Sequence, residues 1–151
     1  MKKKKLIRNV LLIAVVLGIG AAIYGYKEFN RKSESITNET ADFKVKPLDI
    51  ITAFTDDEKA ATLKYGGKII QVAGLVKKLD KDELGNYTVV IGDNSSLSSV
   101  RCSVDSLFTK DVAALQLNTP AFLKGVCTGF NADEMGLGSD VILNRCVIVK
   151  D

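Results

Sequence analysis

Two adjacent glycines, Gly66 and Gly67, separate two different hydrophobic patterns, and this boundary limits the folds open to the chain. Before them, apolar residues recur at helical spacing in the segment from Pro47 to Tyr65. Proline suits the first turn of a helix, and glycine suits the position after its end. The segment is therefore predicted to be a helix with one apolar face.

After the glycines, apolar residues occur in short runs rich in Val and Ile, which are typical of β-strands. Segments with turn-forming residues separate these runs. One further segment has the apolar spacing of a short helix and ends at Pro120. The predicted strands cover residues 68–79, 86–93, 98–105, 121–130 and 139–150, and the predicted short helix covers residues 106–120.

Three strands, a short helix and two strands form the element order of an OB-fold, a five-stranded Greek-key barrel. A glycine inside the first strand, Gly74, suits a strongly coiled barrel strand. We predict a mainly β domain with helices, namely an OB-fold barrel of β-β-β-α-β-β order preceded by one helix. A small split sheet of α+β type is the alternative. The 151 residues leave room for one such domain.

An uncharged run over residues 9–26 follows a basic start, Lys2 to Lys5 and Arg8. As a helix, this run would be roughly 27 Å long at about 1.5 Å per residue. That length nearly spans a hydrocarbon core of roughly 30 Å. We predict an N-terminal transmembrane signal-anchor within residues 1–30 that contacts the membrane through residues 6–26.

More basic residues precede the apolar run than follow it closely, which predicts a cytoplasmic N-terminus. Residues 31–46 are polar and are predicted to be a linker. The domain over residues 47–151 would then lie outside the cytoplasm, in the periplasm if the cell is Gram-negative. Tyr24 and Tyr26 suit an interfacial aromatic belt and favour an uncut anchor, while a signal peptide cleaved near Gly20-Ala21-Ala22 is the alternative.

The net charge of +3 belongs to the N-terminal segment. Eight of the 21 basic residues but one of the 18 acidic residues precede Ser33, so residues 33–151 carry a net charge of −4. Proteins that bind nucleic acid by releasing phosphate counterions carry a basic face. Nucleic acid is therefore an unlikely partner, and a protein or cell-envelope ligand is expected instead.

Several short motifs resemble the tRNA_anti-like family of OB-fold domains, whose bacterial members are membrane-anchored or secreted. The resemblance covers roughly residues 47–149 and implies the fold, without catalytic residues to carry over. The residues that carry it are Leu48 to Phe54, Ala60, Ala61, Lys64-Tyr65-Gly66-Gly67-Lys68, Val72-Ala73-Gly74, Val76, Val100 to Ser103, Lys124-Gly125, Cys127-Thr128-Gly129, Val141-Ile142-Leu143 and Cys146.

The chain contains no histidine, which removes the commonest general base and the histidine metal ligands. No phosphate-binding loop, dinucleotide fingerprint or nucleophile elbow occurs. We therefore expect a protein without enzymatic activity, cofactor or metal. Two acidic segments, residues 80–83 and 133–140, are interpreted as solvated turns and not as cation sites.

An OB-fold commonly binds ligands on its second and third strands and on the loops that join strands 1 to 2 and strands 4 to 5. If Val100 faces the core, strand alternation places Ser99, Arg101 and Ser103 on the other face. These three residues, with Tyr87 on the preceding strand, are the candidate ligand-binding residues. The alternative is a surface arginine and a tyrosine that packs against the core.

Cys127 and Cys146 are equidistant from Gly136-Leu137 in the last predicted hairpin. Residues equidistant from a hairpin centre are cross-strand neighbours, and their separation would permit a disulfide. In an oxidising compartment we predict that bond, with two small core residues as the alternative. Cys102 is predicted to be a buried thiol.

The sequence thus predicts a membrane-anchored, extracytoplasmic OB-fold binding module without enzymatic activity. Two alternatives stay open. One is an oligonucleotide-binding OB-fold domain that faces the cytoplasm. The other is a small enzyme or thiol/disulfide protein that uses Cys127 and Cys146.

Overall fold

A computed structural model describes residues 18–20, 24, 36–104 and 106–149 of the chain. Residues 35–151 form a unit of their own. Its strands are β1 (Phe43–Val45), β2 (Ile69–Lys81), β3 (Tyr87–Gly92), β4 (Ser99–Val104), β5 (Pro120–Asn131) and β6 (Asp140–Val149). Its helices are α1 (Pro47–Asp56), α2 (Glu58–Tyr65) and α3 (Thr109–Ala113), with single 3-10 turns at Ile36–Asn38 and Ser106–Phe108.

Strands β2 to β6 form a closed barrel, which confirms the predicted mainly β fold and its element order. Strand β2 pairs with β3, β3 with β4, β4 with β6 and β6 with β5, and the pairing of β5 with β2 closes the ring. The β4–β6 pair is parallel, and the other pairs of the ring are antiparallel. This is the OB-fold arrangement, and the alternative of an open split sheet is excluded.

Gly74 lies where β2 passes from one partner strand to the other. Residues 69–75 of β2 pair with β5, and residues 75–81 pair with β3. A Cβ atom on Gly74 would lie 2.6 Å from Ile91 Cγ2 and 2.7 Å from Pro47 Cγ. Glycine is therefore required for β2 to approach β3 and the start of α1 so closely.

The predicted helix over residues 47–65 is two helices. Asp57 has an extended backbone and ends α1, and its side chain accepts a hydrogen bond from Ala60 N at 2.9 Å, which caps the N-terminus of α2. The break lets Phe54 of α1 stack on Phe130 of β5, with ring centroids 5.1 Å apart, while Tyr65 at the end of α2 also reaches the core. The predicted end at Gly66 and Gly67 is confirmed.

Part of the segment expected to be a linker is built into the folded unit. Ile36 is only 2% exposed, and β1 pairs in parallel with β2. Lys124 Nζ on β5 donates hydrogen bonds to the carbonyls of Thr37 at 3.0 Å and Glu39 at 2.5 Å. We call residues 36–45 the strap. The strap was not predicted because it is largely polar in sequence, and its bonds to Lys124 and to β2 are made by its backbone.

The register of the last hairpin corrects the predicted disulfide. Cys127 lies opposite Leu143, and Cys146 pairs with Val104 of β4, so the two cysteines are not cross-strand neighbours. Two irregularities in the β5–β6 pairing shift the register away from the symmetric hairpin that was assumed. Cys102, Cys127 and Cys146 are all free and buried.

Among the described residues, no helix is long and apolar enough to cross a membrane. The predicted span over residues 9–26 lies mostly outside the described part of the chain. The transmembrane anchor therefore stays a prediction.

Candidate binding surface

The outer face of β3 and β4 is the surface on which ligand-binding residues were predicted. Val100 and Cys102 are fully buried, which confirms the predicted alternation along β4. Arg101 lies outward, in a row with Val90 of β3 and Lys78 of β2. The outer face therefore carries at least two cations.

Each of these cations has a carboxylate beside it. Arg101 Nε lies 2.6 Å from Asp140 Oδ2, and Lys78 Nζ lies 2.6 Å from Asp80 Oδ1. An anionic ligand would compete with these carboxylates for the cations. The face is consequently a poor site for a polyanion.

Ser99 is not part of this exposed face. It is only 4% exposed, and its Oγ accepts a hydrogen bond from Lys77 Nζ at 3.0 Å. Lys77 also donates to the carbonyl of Ser96 at 2.6 Å. Lys77 thus holds the β3–β4 loop, residues 93–98, to the barrel, a role that the sequence analysis did not find.

The other predicted residues separate into two places. Ser103 is partly exposed and pairs with Thr88 on the same outer face as Arg101. Tyr87 lies two residues before Val89 and therefore on the same, inner face of β3, where it packs against the core cluster. Lys81 Nζ lies 5.2 Å from the centroid of its ring. Tyr87 and Arg101 therefore lie on opposite faces of β3–β4. Tyr87 packs against the core, as in the alternative given above.

The β5–β6 loop, residues 132–139, is organised by one carboxylate. Asp133 accepts backbone N–H hydrogen bonds from Met135 at 3.0 Å, Leu137 at 2.8 Å and Gly138 at 3.0 Å. These bonds, above all those from Gly138 and Leu137, lower the pKa of the Asp133 carboxyl below its ordinary value. The loop is a turn, as interpreted from the sequence, and Asp133 determines its shape.

The two loops at this end of the barrel are bonded to each other. Ser139 N donates to Ser98 Oγ, and Ser99 N donates to the carbonyl of Ser139, both at 3.0 Å. Gly138 has a φ of +92°, and a Cβ there would lie 2.5 Å from the Leu97 carbonyl carbon. The loops at residues 93–98 and 132–139 are therefore packed against each other, and we call them the apical loop pair.

The apical loop pair presents three aliphatic side chains to solvent. Leu97 is 72% exposed, Met135 is 83% exposed and Leu137 is 77% exposed. Exposed apolar patches mark interaction sites, and these three side chains lie on loops that are hydrogen-bonded to each other. This surface was not predicted from the sequence. The available signal was the presence of Met135 and Leu137 inside a polar, glycine-rich loop.

A second feature lies on the outer face of β2. A groove of about 400 Å³ is lined by charged residues of both signs and by one aromatic ring. The aromatic ring is that of Phe122 on β5, which is half-buried. The lining residues are Lys44, Val45, Lys46, Asp49, Gln71, Ala73 and Phe122.

The thiols are placed unfavourably for nucleophilic or redox chemistry. Burial raises the pKa of the Cys127 thiol and raises that of Cys146 well above its ordinary value. Reactive cysteines are instead partly exposed and have lowered pKa values. The structure removes the Cys127–Cys146 pair on which a thiol/disulfide function depended.

The comparison with protein families agrees with this geometry. The sequence profile of the tRNA_anti-like family matches residues 1–147. The chain belongs to the tRNA_anti-like family. No curated protein sequence matches it.

Several solved structures are similar to this chain at low sequence identity. A "putative nucleic acid-binding lipoprotein" from Klebsiella pneumoniae subsp. pneumoniae is 21% identical, with a TM-score of 0.54, over 71% of this chain and 92% of that one. An OBody bound to hen egg-white lysozyme is 18% identical, with a TM-score of 0.44, over 57% and 85% of the two chains. Asparaginyl-tRNA synthetase from Pyrococcus horikoshii is 16% identical, with a TM-score of 0.38, over 58% and 21%.

Proposed function

We propose that this tRNA_anti-like protein is a non-enzymatic interaction module, anchored in the cell membrane by its N-terminal segment, with its OB-fold domain outside the cytoplasm. Its ligand is a protein or another component of the cell envelope, bound through the apical loop pair. The domain would serve as a docking element held close to the membrane.

The exposure of Leu97, Met135 and Leu137 on two loops that are bonded to each other carries this proposal. Loops that are already held together lose little conformational entropy on binding. More of the contact energy of their exposed side chains then contributes to affinity. The β5–β6 loop joins the last two strands of the barrel and is one of the usual ligand-binding loops of OB-folds.

Three observations support a role without catalysis. The chain has no histidine, and its three cysteines are buried. In the apical loop pair, Asp93 accepts hydrogen bonds from Ser95, and Asp133 accepts them from three backbone N–H groups. None of these groups is poised for proton transfer to a bound substrate.

Affinity capture tests the binding surface. The full-length chain with a C-terminal tag is crosslinked in intact cells and purified, and its partner is identified by mass spectrometry. Replacing Leu97 and Leu137 together by serine should lower the yield of that partner by at least about tenfold, since such a loss corresponds to roughly 1.4 kcal/mol at an interface. Replacing Leu63, which is 80% exposed on α2, is the matched control. Equal loss in both variants would exclude the apical loop pair.

A reporter fusion tests the membrane topology. A phosphatase that is active only outside the cytoplasm, fused after Asp151, should be active, because the basic start is expected to hold the N-terminus inside. Activity only from a cytoplasmic reporter at the same position would contradict the extracytoplasmic placement.

The second candidate function is binding of single-stranded nucleic acid in the groove on β2. Lys44 and Lys46 could contact phosphates, and Phe122 could stack on a base. The similar lipoprotein from Klebsiella is described as nucleic acid-binding. The net charge of −4 over residues 33–151 and the single ring argue for the first candidate.

Fluorescence anisotropy with labelled oligonucleotides separates the two candidates. The first candidate predicts no binding at physiological salt. Binding that weakens with salt, and that Phe122→Ala reduces while Leu137→Ser does not, would instead establish the second.

A further inference from the structure

We propose that Cys102 and Cys146 form an intramolecular disulfide when the chain folds under oxidising conditions, and that Cys127 stays a free thiol. The proposal concerns the chemistry of the domain itself and goes beyond its binding function. Cys102 lies on β4 and Cys146 on β6, the two strands that pair in parallel. A bond between them would join these strands covalently.

The register makes the two cysteines diagonal neighbours on the inner side of the barrel. Cys102 lies opposite Leu143, and Val104 lies opposite Cys146. From Leu143 to Cys146, β6 advances by three residues, while β4 advances by two, from Cys102 to Val104. Strand β6 therefore has one extra residue here, and Arg145 adopts a φ of +56°. Such a bulge bends its strand locally. It is also the point at which β6 can move toward β4 to reach disulfide geometry.

The side chains converge in the core. Cys102 and Cys146 are both completely buried and belong to one cluster. Cys146 Sγ donates to the carbonyl of Leu143, the residue opposite Cys102, at 3.4 Å. After desolvation by burial, the neighbouring Cys102 thiol is the next cause that raises the pKa of Cys146. A Cβ on Gly125 would overlap the Cys146 sulfur. The sulfur of Cys146 therefore occupies space that only a glycine on β5 leaves open.

Cys127 belongs to another part of the barrel. Its backbone N–H donates to the carbonyl of Lys68 at 3.0 Å, and its carbonyl accepts from Gly67 N at 2.8 Å. Its thiol pKa is raised by burial, with no contribution from another thiol. A symmetric hairpin would make Cys127 the partner of Cys146. The observed register and the core contacts point to Cys102 instead.

The reaction is thiol–disulfide exchange with a disulfide oxidant. One cysteine thiolate attacks the oxidant and forms a mixed disulfide, which releases one thiol of the oxidant. The second cysteine displaces the other sulfur of the oxidant, so one S–S bond forms, one breaks, and two protons end on the reduced oxidant. Because both cysteines are inaccessible in the closed barrel, the exchange takes place before β4 and β6 finish pairing.

Tryptic mapping tests the pairing directly. Trypsin cleaves after Arg101, Lys110, Lys124, Arg145 and Lys150. The three cysteines are thereby separated into the peptides 102–110, 125–145 and 146–150. The full-length chain, solubilised in detergent, is unfolded with reductant, refolded with oxidised and reduced glutathione, unfolded again with N-ethylmaleimide and digested. We expect 102–110 linked to 146–150, with 125–145 alkylated. A link that includes 125–145, or three alkylated peptides, would overturn the proposal.

A thermal measurement with matched variants provides a second readout. The oxidised protein should melt on the order of 10 °C above the reduced protein, because the bond closes a long loop. Cys127→Ala should keep this difference, and Cys146→Ala should abolish it. A difference that persists in Cys146→Ala contradicts the pairing, and if that variant does not fold, the peptide map of the unmodified chain decides.

Discussion

At the scale of single residues, Asp133 contributes most to the shape of the proposed binding surface. Its carboxylate accepts N–H groups from Met135, Leu137 and Gly138, and Met135 and Leu137 are two of the residues whose exposure defines the surface. Asx-type turns of this kind depend on the side-chain oxygens. The neighbouring Glu134 is exposed and provides a matched control.

Asp133→Ala should loosen the β5–β6 loop and leave the barrel folded. Hydrogen exchange at the three donor amides should rise by about tenfold or more, since charged hydrogen bonds are lost there. Glu134→Ala should leave their exchange rates unchanged. Unchanged exchange in Asp133→Ala would mean that the glycines alone determine the loop.

The loop should also respond to pH in one direction. The pKa of Asp133 is lowered in the folded state, so the stabilisation is fully present above the ordinary carboxyl pKa and is lost as pH falls through the lower folded value. Amide chemical shifts of Leu137 and Gly138 should therefore stay constant from neutral pH down to the ordinary carboxyl range and change only below it. A change centred at or above the ordinary pKa would contradict the assignment.

At the scale of elements, the strap over residues 36–45 is held by Lys124. This lysine is only 6% exposed, and its ammonium group donates to the carbonyls of Thr37 and Glu39. Hydrogen bonds from a charged donor such as this ammonium group contribute more to stability than bonds between neutral groups. The strap is also attached through the burial of Ile36, the hydrogen bonds between Asp42 and Ile69, and the pairing of β1 with β2.

Lys124→Met should destabilise the protein by about 1–3 kcal/mol, because two carbonyls lose their donor while the apolar stem is kept. Urea unfolding of the full-length chain measures the change, and limited proteolysis should show faster cleavage within residues 36–46. Lys44→Met is the control, because Lys44 on β1 is exposed. Equal stability of the two variants would show that the Lys124 contacts contribute little.

At the scale of the whole molecule, the strap changes where the folded unit begins. The sequence pattern suggests a domain that starts at Pro47, whereas buried contacts of this unit already occur at Ile36 and in β1. Phe43 and Val45 of β1 pack against the core. A chain without these residues would lose apolar burial and also expose the edge of β2.

Two shortened chains test this boundary. A chain that begins at residue 36 should fold. For a chain that begins at residue 47, the free energy of unfolding should be lower by roughly 3 kcal/mol or more, because it buries one or two fewer large apolar side chains. Thermal unfolding followed by circular dichroism compares them. Equal melting temperatures would place the boundary at Pro47 after all.

Much of the barrel could be predicted because its signals are local. Strand alternation identified Val100 and Cys102 as core residues, and glycines identified the end of the second helix. The binding residues were harder to predict. Ser99 has the spacing of Arg101, but it is buried and its hydroxyl is bonded to Lys77. Tyr87 has the parity of Val89 and packs against the core. Spacing predicts the face of an ideal strand and does not reveal bulges.

The sequence by itself determined the element order and the barrel core, since both depend on hydrophobic period and turn residues, which act within a few positions along the chain. The tertiary structure alone decided the register of the last hairpin, the neighbour of Cys146, the docking of the strap and the joining of the apical loops. Each of these depends on contacts between residues far apart in the chain. Those contacts are made by bulges, buried ammonium groups and backbone hydrogen bonds. None of these produces a periodic pattern of apolar residues from which it could be predicted.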